Sequence, residues 1–454
     1  MGRRSAALDR SRLLRPRPHA SASAREAYLP LMKRALFAAG LLTGTGLGML
    51  GRRYWERRLR YGPWGSLGMG LPGGVDGVAL ALKQTTTTSV IAGNRVAWRH
   101  DADVFDGIEE AIRAARRSVH IDVYIWKPGG AGERLTELVC RRAREGVKVR
   151  VLVDPMGSTG FHEELCPRLT EAGCEVRYFR DLKKRPFTLT GRNHRKLVVV
   201  DGRIGFTGGF GIAPEWSVPG PSASVWRDAN VEVEGPVVKQ MQVSFANHWI
   251  ETGGWLLPEI ELEPARPAGE ASAAYVSSTD VVGLSHARWV THLALAAAER
   301  RVWIANAYFV PPPSVLGALV ARRENGIDVR LLLPGPHQDH ASVTFLQRRL
   351  YPRLDRAGVK VYEYQPSMMH AKTMLVDDRL SVVGSMNLDF LSMEWLEEGA
   401  LIVDDRAFAR EFEERWARDV ERSRQVTGPR QEGEAGLPHR ELQSVRAAQQ
   451  SASR

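Results

Sequence analysis

The chain has 454 residues, 43% of them hydrophobic and 25% charged, which predicts two or more globular domains and excludes both a wholly disordered chain and a polytopic membrane protein. Its net charge of +11 comes from one end, because residues 1–60 contain 14 basic and three acidic side chains while the other 394 residues carry 49 of each sign. A neutral body argues against broad binding to the phosphate backbone of nucleic acids, so we expect no nucleic-acid partner.

The first predicted elements lie in the basic N-terminal region. Residues 1–34 are rich in Arg, Ser and Pro without apolar periodicity, so we expect them to be disordered. Residues 35–51 form an uncharged run between basic flanks, which makes them a possible membrane anchor. These 17 residues include five glycines and make a helix of only about 25 Å, so a short buried or interfacial helix is the alternative. The positive charges after the run favour a cytoplasmic location for the body.

The body contains an internal duplication. Three segments that alternate helix and strand in the first half are followed, in the same order, by three similar segments in the second. They are 108–126, 135–155 and 166–179, matched by 292–310, 315–335 and 351–364. In each segment, apolar residues at helical spacing precede a short apolar run typical of a strand. This alternation predicts an α/β fold, with a mixed or parallel sheet flanked by helices in each half.

Changes in composition set the expected domain boundaries. The stretch 256–273 is enriched in Pro, Glu and Ala and is interpreted as a linker. It separates a first domain, 76–256, from a second domain, 274–425. Residues 426–454 show no periodicity, and we expect them to form a disordered tail.

One motif, H-x-K-x-x-x-x-D, recurs at the end of the repeated segments. Its residues are His194, Lys196 and Asp201 in the first copy and His370, Lys372 and Asp377 in the second. On a strand, a histidine and a lysine two residues apart face the same way, and the apolar run after them buries the strand. One such pair alone would be interpreted as structural. Its repetition at the same spacing favours a reaction at one phosphorus atom, which needs a chemical group on each side.

These motifs resemble those of the phospholipase D superfamily. The resemblance spans about residues 90–420, and the segments 208–216, 226–236 and 370–405 are most similar to bacterial cardiolipin synthases. It implies two similar phospholipase D-like domains, each a mixed β-sheet flanked by helices, packed around one shared active site. It implies no cofactor, and three cysteines without a paired spacing give no sign of zinc.

The resemblance also implies a role for each member of the two motifs. One imidazole would attack phosphorus to form a phosphohistidine, and the other would protonate the departing oxygen and then deprotonate the incoming hydroxyl. His194 is assigned as the nucleophile and His370 as the acid and base, although the duplication leaves the reverse order open. The two lysines would hold the non-bridging phosphate oxygens. Of the six candidate catalytic residues, Asp201 and Asp377 are expected to brace the motif loop rather than to transfer protons.

Further candidates surround the two motifs. They are Gly209, Ser385 and Asn387 at the phosphate, and the strand-end acids Asp228 and Glu398 as partners that fix the histidine tautomers. For the two acids, a solvated strand end is the alternative. The chain departs from the family pattern twice, with Gly211 where asparagine is common and Leu391 where arginine is expected.

The function that this pattern favours is the transfer of a phosphatidyl group from one phosphatidylglycerol to another, giving cardiolipin and glycerol. The alternative is a phospholipase D or other phosphodiesterase that hydrolyses phospholipid or nucleic acid, and a lipid-binding scaffold with a degenerate site is the third possibility. The expected partners are phosphatidylglycerol and the surface of the bacterial cell membrane, reached through the anchor or peripherally. Trp216, Trp226 and Trp255 are candidates to enter that surface, with burial in the core as the commoner fate of a tryptophan.

Overall fold

The computed structural model of the protein describes residues 70–181, 191–217, 225–278 and 285–428. The predicted disordered N-terminus, the possible anchor at 35–51 and residues 429–454 of the predicted tail lie outside the described residues. The first residues of that tail do not fit the prediction, because 426 and 427 belong to a strand and Val426 is buried. Among the residues that are described, no helix combines the length and the apolar character needed to cross a bilayer.

The helices and strands follow the alternation that the duplicated segments predict. The elements up to residue 262 are α1 (Gly74–Thr85), β1 (Ile91–His100), α2 (Asp103–Ala114), β2 (Ser118–Val123), α3 (Ala131–Arg144), β3 (Lys148–Val153), α4 (Cys166–Glu171), β4 (Glu175–Tyr178), β5 (Lys196–Val200), β6 (Ile204–Gly208), β7 (Ala229–Glu234), α5 (Val238–Glu251) and α6 (Glu259–Leu262). Those that follow are β8 (Ala271–Ser278), α7 (His286–Ala297), β9 (Arg301–Asn306), α8 (Pro313–Glu324), β10 (Asp328–Pro334), α9 (Ala341–Arg356), β11 (Lys360–Tyr364), β12 (Lys372–Val376), β13 (Leu380–Gly384), α10 (Phe390–Glu394), β14 (Glu398–Asp404), α11 (Arg406–Glu421) and β15 (Ser423–Thr427).

The fifteen strands of the described residues all belong to one mixed sheet. Their order is β15-β11-β10-β9-β12-β13-β14-β8-β1-β7-β6-β5-β2-β3-β4. The order can be followed outward in both directions from the central pair β8 and β1. One direction gives β1-β7-β6-β5-β2-β3-β4, and the other gives β8-β14-β13-β12-β9-β10-β11, with the same connectivity. The two halves therefore have the same topology, and the predicted α/β class with two similar mixed sheets is confirmed. The two half-sheets join where the first residues of β1 pair antiparallel with those of β8, at Ile91 with Ala273 and Asn94 with Ala271.

Three hydrophobic cores hold these layers together. One packs α2, α3 and α4 against the outer face of the first half-sheet, and a second packs α7, α8 and α9 against that of the second. The third contains residues of both half-sheets together with the apolar faces of α5 and α11. Because this third core is shared, the two inner faces are buried against each other, and apolar strands such as Leu197–Val200 are buried on both sides.

Two local features differ from the boundaries drawn on composition. Helix α1 packs on α7, and its buried Val78 and Leu82 belong to the core of the second half, although the sequence groups this stretch with the first. The proposed linker at 256–273 contains the short helix α6, and its last three residues already form the start of β8. Composition does not reveal either feature, because both depend on contacts made with distant parts of the chain.

Candidate active site

The two motif histidines lie at the entrance of equivalent strands, β5 and β12, and the motif lysines are the first residues of those strands. Each histidine is tied by its backbone to the opposite half of the molecule. The amide of His194 donates to the carbonyl of Glu397 over 2.8 Å, and the amide of His370 donates to the carbonyl of Arg227 over 2.7 Å. The accepting residues repeat this pattern. The amide of Glu397 donates to the carbonyl of Arg192, and the amide of Arg227 donates to the carbonyl of Met368. The structure therefore brings both motifs to the boundary between the halves.

Each imidazole is also held by a carboxylate from the opposite half. Nδ1 of His194 lies 2.9 Å and 3.0 Å from the two carboxylate oxygens of Glu398, and Nδ1 of His370 lies 2.8 Å from Oδ2 of Asp228. Both carboxylates are fully buried at the start of β14 and β7. A carboxylate at Nδ1 favours a proton on that nitrogen and leaves Nε2 as the nitrogen that faces a substrate.

The motif lysines are buried beside the histidines. Nζ of Lys196 donates to the carbonyl of His194 over 2.7 Å, and Nζ of Lys372 contacts both the carbonyl of His370 and, at 2.8 Å, its Nε2. Burial lowers the pKa of Lys196 to about 7 and that of Lys372 to about 8, although the carboxylates across the boundary counteract this effect. Two desolvated ammonium groups therefore share the site, where they are suited to an anionic ligand.

The two histidines differ in the hydrogen-bond contacts of their Nε2 atoms. Lys372 covers that atom in His370, whereas no hydrogen-bond partner lies at Nε2 of His194 among the described residues. Burial lowers the pKa of His370 to about 3, with the charge of Lys372 acting in the same direction. Burial also lowers the pKa of His194, against the attraction of Glu398. Both imidazoles are thus neutral at neutral pH, and that of His194 has the more accessible Nε2.

Asp228 is the centre of a tight cluster on the His370 side. Burial acts to raise the pKa of this carboxylate. The nearby His370 and Lys372, and a hydrogen bond of 2.8 Å from Nε1 of Trp216 to Oδ2, act in the opposite direction, and the net effect is a lowered pKa. A Cβ added to Gly209 would lie 2.1 Å from Oδ1 of Asp228, so this position has no room for a side chain. The candidate Gly209 therefore lies directly against the carboxylate.

The corresponding residues of the second half carry side chains. Ser385 occupies the place equivalent to Gly209, and its hydroxyl donates to Glu398. Asn387 is buried, and within the described ranges its Oδ1 has no hydrogen-bond partner. In the first half the equivalent position is Gly211, where an added Cβ would come within 2.8 Å of the Trp216 ring. The indole of Trp216 thus occupies the space that an asparagine would need, which is the physical reason for the departure at Gly211.

The motif aspartates lie at the far ends of β5 and β12, away from the histidines and lysines. Asp201 accepts hydrogen bonds from the amides of residues 116–118, and Asp377 from those of residues 299–301, all between 2.7 and 3.2 Å. Both aspartates have positive φ angles, 54° and 55°, in the turn after the strand. Their side chains cap the start of β2 and β9, an arrangement in keeping with the expected bracing role.

The chain matches the family model described as cardiolipin synthase, PLD-like domain, over residues 108–249 and 293–420. It is 35% identical over 343 residues to cardiolipin synthase A of Pseudomonas putida strain W619. The aligned region covers 74% of this chain and 71% of that protein. It is likewise 35% identical over 354 residues to cardiolipin synthase A of Pseudomonas aeruginosa strain LESB58, with 76% and 71% covered.

The chain belongs to the cardiolipin synthase, PLD-like domain family. It is therefore an enzyme of the phospholipase D superfamily, a phosphatidyltransferase of the cardiolipin synthase type that acts on phospholipid. The recognition based on the duplicated motifs is confirmed. Among solved structures, the chain is similar to a phosphatidylserine synthase of Haemophilus influenzae, with a TM-score of 0.57 at 14% identity, covering 77% of this chain and 91% of that one. At so low an identity the likeness concerns the fold alone.

Two tyrosines in this candidate active site were missed by sequence reasoning. The ring of Tyr124 lies 5.6 Å from Nζ of Lys196, and that of Tyr308 lies 5.8 Å from Nζ of Lys372. Tyr124 is the first residue after β2, and Tyr308 is the second after β9. Their alignment within the duplicated segments was the signal that could have revealed them.

The tryptophans near the first motif have different environments. Trp216 is 1% exposed and Trp226 is partly buried, and both rings contact that of His370, at 5.2 Å and 4.7 Å between centroids. The interpretation of Trp216 as a membrane-entering residue is therefore wrong, because it is part of the site wall. Trp255 is 89% exposed. Within the described residues, no cluster of three or more His, Cys, Asp or Glu side chains is suited to a metal ion.

Proposed function

We propose that this enzyme transfers a phosphatidyl group from one phosphatidylglycerol to the terminal hydroxyl of a second, releasing glycerol and forming cardiolipin. The observation that carries the proposal is the crossed pairing of each motif histidine with a carboxylate of the opposite half. This pairing orients two neutral imidazoles at one boundary, which is what a two-step displacement at phosphorus requires. The name of the relatives, cardiolipin synthase A, supports the choice of substrate and product.

In the first step, Nε2 of His194 attacks the phosphorus of the donor lipid. A nitrogen–phosphorus bond forms, the bond from phosphorus to the glycerol oxygen breaks, and the departing oxygen takes a proton from Nε2 of His370. In the second step, His370 removes the proton from the hydroxyl of the second phosphatidylglycerol. That oxygen attacks phosphorus, and His194 leaves with its electron pair. Protons and charges are thus restored after each turnover.

His370 must carry a proton on Nε2 for the first step. Binding of the phosphodiester raises the pKa of this imidazole and so favours the protonated form. Burial and the neighbouring Lys372 ammonium lower the pKa of this imidazole to about 3. A phosphodiester anion attracts the two lysines and adds a negative charge beside the imidazole, and both changes favour the imidazolium. The lysines then hold the non-bridging oxygens, where negative charge develops in the transition state.

The assignment of His194 as nucleophile rests on the accessible Nε2 of that residue. Gly209 and Ser385 border the carboxylates that hold the histidines, and the unpartnered Oδ1 of Asn387 is available to a headgroup hydroxyl. We further propose that the enzyme works at the bacterial cell membrane, held there by residues 35–51 or peripherally, with its body on the cytoplasmic side.

Lipid analysis in a bacterial host that lacks its own cardiolipin synthases tests this function. The wild-type chain is expected to produce cardiolipin and the His194→Ala variant none, with the exposed His162→Ala as matched control retaining wild-type product. Phosphatidic acid without cardiolipin would instead identify water as the acceptor and support a phospholipase D. Full activity of His194→Ala would refute the role assigned to that residue.

A further inference from the structure

Four large apolar side chains are exposed near one edge of the second half-sheet. They are Phe345 and Leu346 on α9, which are 60% and 46% exposed, and Phe390 and Leu391 on α10, which are 38% and 60% exposed. We call these four residues the apolar rim. Isolated exposed leucines are ordinary in soluble proteins, but pairs of adjacent apolar residues on two elements at one sheet edge indicate a contact surface.

The topology of the second half places both elements of the rim at the active-site edge. Strands β9 and β10 are parallel, so their carboxyl ends lie at the same edge as the motif residue Lys372, which pairs with Asn306 at the end of β9. Helix α9 begins shortly after β10, and its first turns therefore lie at that edge. Helix α10 follows the carboxyl end of β13, which is antiparallel to β12 and ends at the same edge.

Side-chain contacts connect the rim to the motif lysine. The ring of Tyr308 lies beside Lys372, and its hydroxyl donates to Asp339 over 2.7 Å, immediately before the start of α9. On the other side, Val310 pairs with Asp389, the residue that caps α10. The segment from Tyr308 to Val310 therefore holds both parts of the rim around the entrance to the lysine and histidine cluster.

The charges beside the rim identify its partner. Helix α9 carries four arginines after Leu346 and only one acid, Asp355. Arg348 pairs with the buried Glu363, and Arg353 and Arg356 lie in the last turn of the helix, so Arg349 is the arginine that lies next to the rim. The guanidinium of Arg349 lies 5.3 Å from the Phe345 ring, which places a cation beside the apolar surface. A second exposed apolar stretch, at Trp255 and Leu256, is instead followed by the acids of residues 259–263. Apolar side chains next to arginine match the interface of an anionic bilayer, where the rings enter the acyl boundary and the cations meet headgroups.

We infer that the apolar rim is the surface by which this enzyme docks on an anionic phospholipid bilayer, with the entrance of its active site facing the lipid. The inference rests on the proposed use of a membrane phospholipid as substrate. It assigns Leu391, which replaces the arginine expected from the family pattern, to contact with acyl chains. Docking at this edge places a headgroup at the motif lysines without removing the whole lipid from the bilayer.

A fluorescence experiment on the full-length chain tests the docking without requiring turnover. In a Cys166→Ser background, Leu346→Cys and Leu391→Cys are labelled with an environment-sensitive fluorophore, and Asn325→Cys is the matched control. Asn325 is exposed after α8, at the opposite edge of the same half-sheet. Vesicles that contain phosphatidylglycerol are expected to shift the emission of the two rim labels to shorter wavelength and to leave the control unchanged. A shift without vesicles as protein concentration rises, an equal shift with purely zwitterionic vesicles, or an equal shift at residue 325 would overturn the inference.

A kinetic experiment separates this inference from the proposed function. The double variant Phe345→Ser/Leu346→Ser is compared with the far-edge variant Glu324→Ser/Asn325→Ser on phosphatidylglycerol in vesicles and on a short-chain, monomeric phosphatidylglycerol. The ratio of vesicle to monomer activity should fall about tenfold or more in the rim variant only, because two apolar side chains no longer enter the bilayer. An unchanged ratio would contradict the docking surface, whereas absence of cardiolipin from the wild-type chain would contradict the proposed function instead.

Discussion

Glu398 holds His194 through a hydrogen bond of 2.9 Å although the two residues are separated by 204 positions and lie in opposite halves of the duplicated body. Asp228 and His370 repeat this relationship in the other direction. Neither half therefore contains a complete oriented imidazole. An isolated half would have a histidine without its carboxylate, so the site needs the two halves packed together.

The first prediction concerns this crossed carboxylate. Glu398→Gln preserves shape but removes the charge that favours a proton on Nδ1 of His194, so the imidazole can present the wrong nitrogen to phosphorus. We expect kcat to fall by up to roughly 10⁴-fold, the loss seen when the orienting carboxylate of a catalytic triad is neutralised. Asp404→Asn, at the other end of the same strand, is the matched control and should remain active. Rates of cardiolipin formation measure both, and an active Glu398→Gln would remove the orienting role.

The second prediction is the pH dependence of kcat/KM. Productive binding needs a neutral His194 and charged lysines, since His370 takes up its proton only when the phosphate arrives. Burial lowers the pKa values of Lys196 and Lys372 to about 7 and about 8. Activity should therefore decline on the alkaline side through these values instead of near the ordinary lysine value of about 10.4. The acid-side decline should begin below the ordinary histidine value of about 6.5, because the pKa of His194 is lowered.

Lys196→Arg tests the cause of the alkaline decline. A guanidinium keeps its charge throughout this range, so the part of the decline that belongs to Lys196 should disappear even though the absolute rate is reduced. Lys239→Arg, on an exposed position of α5, is the control and should reproduce the wild-type profile. A profile of Lys196→Arg that coincides with the wild type would assign the decline to another group.

The third prediction uses two glycines with different surroundings. A Cβ at residue 209 would lie 2.1 Å from the Asp228 carboxylate, so Gly209→Ala must displace the partner of His370. We expect a loss of activity of at least about a hundredfold, as for a misplaced catalytic group. Gly317→Ala introduces the same methyl group in the interior of α8, where nothing lies within 4 Å, and should stabilise the protein by about 0.5–1 kcal/mol. Activity and thermal unfolding distinguish the two, and a fully active Gly209→Ala would contradict the close approach.

The fourth prediction concerns the buried ion pair behind His370. Arg227 pairs with Asp419 at 2.7 Å, and both side chains are almost fully buried. Arg227→Ala leaves Asp419 without this cation in a dry environment, so we expect a loss of about 3–5 kcal/mol in the free energy of unfolding. Arg406→Ala removes a largely exposed pair with Asp378 and should cost no more than about 1 kcal/mol. Denaturant unfolding measures both, and equal losses would show that burial of the Arg227 pair is unimportant.

Much of the fold follows from local patterns. The helix and strand segments, their duplication and the two motif strands are visible as periodicities of adjacent residues, and all of them appear at the expected places. The position of α1 on the second half was not visible, because an amphipathic helix does not record which half it packs on. The missed Tyr124 and Tyr308 show the same limit at the site, since a tyrosine at the end of a strand has no local sign of the lysine beside it.

The sequence by itself determined the family, the α/β class and the two sets of motif residues, because a repeated spacing along the chain survives without any knowledge of the fold. Only the tertiary structure decided which carboxylate serves which histidine, why Gly211 replaces an asparagine, and where the apolar rim lies relative to the lysines. These relationships join residues up to 204 positions apart, and they depend on how two similar half-sheets pack through a shared core. Spacing within a single segment carries no information about such contacts.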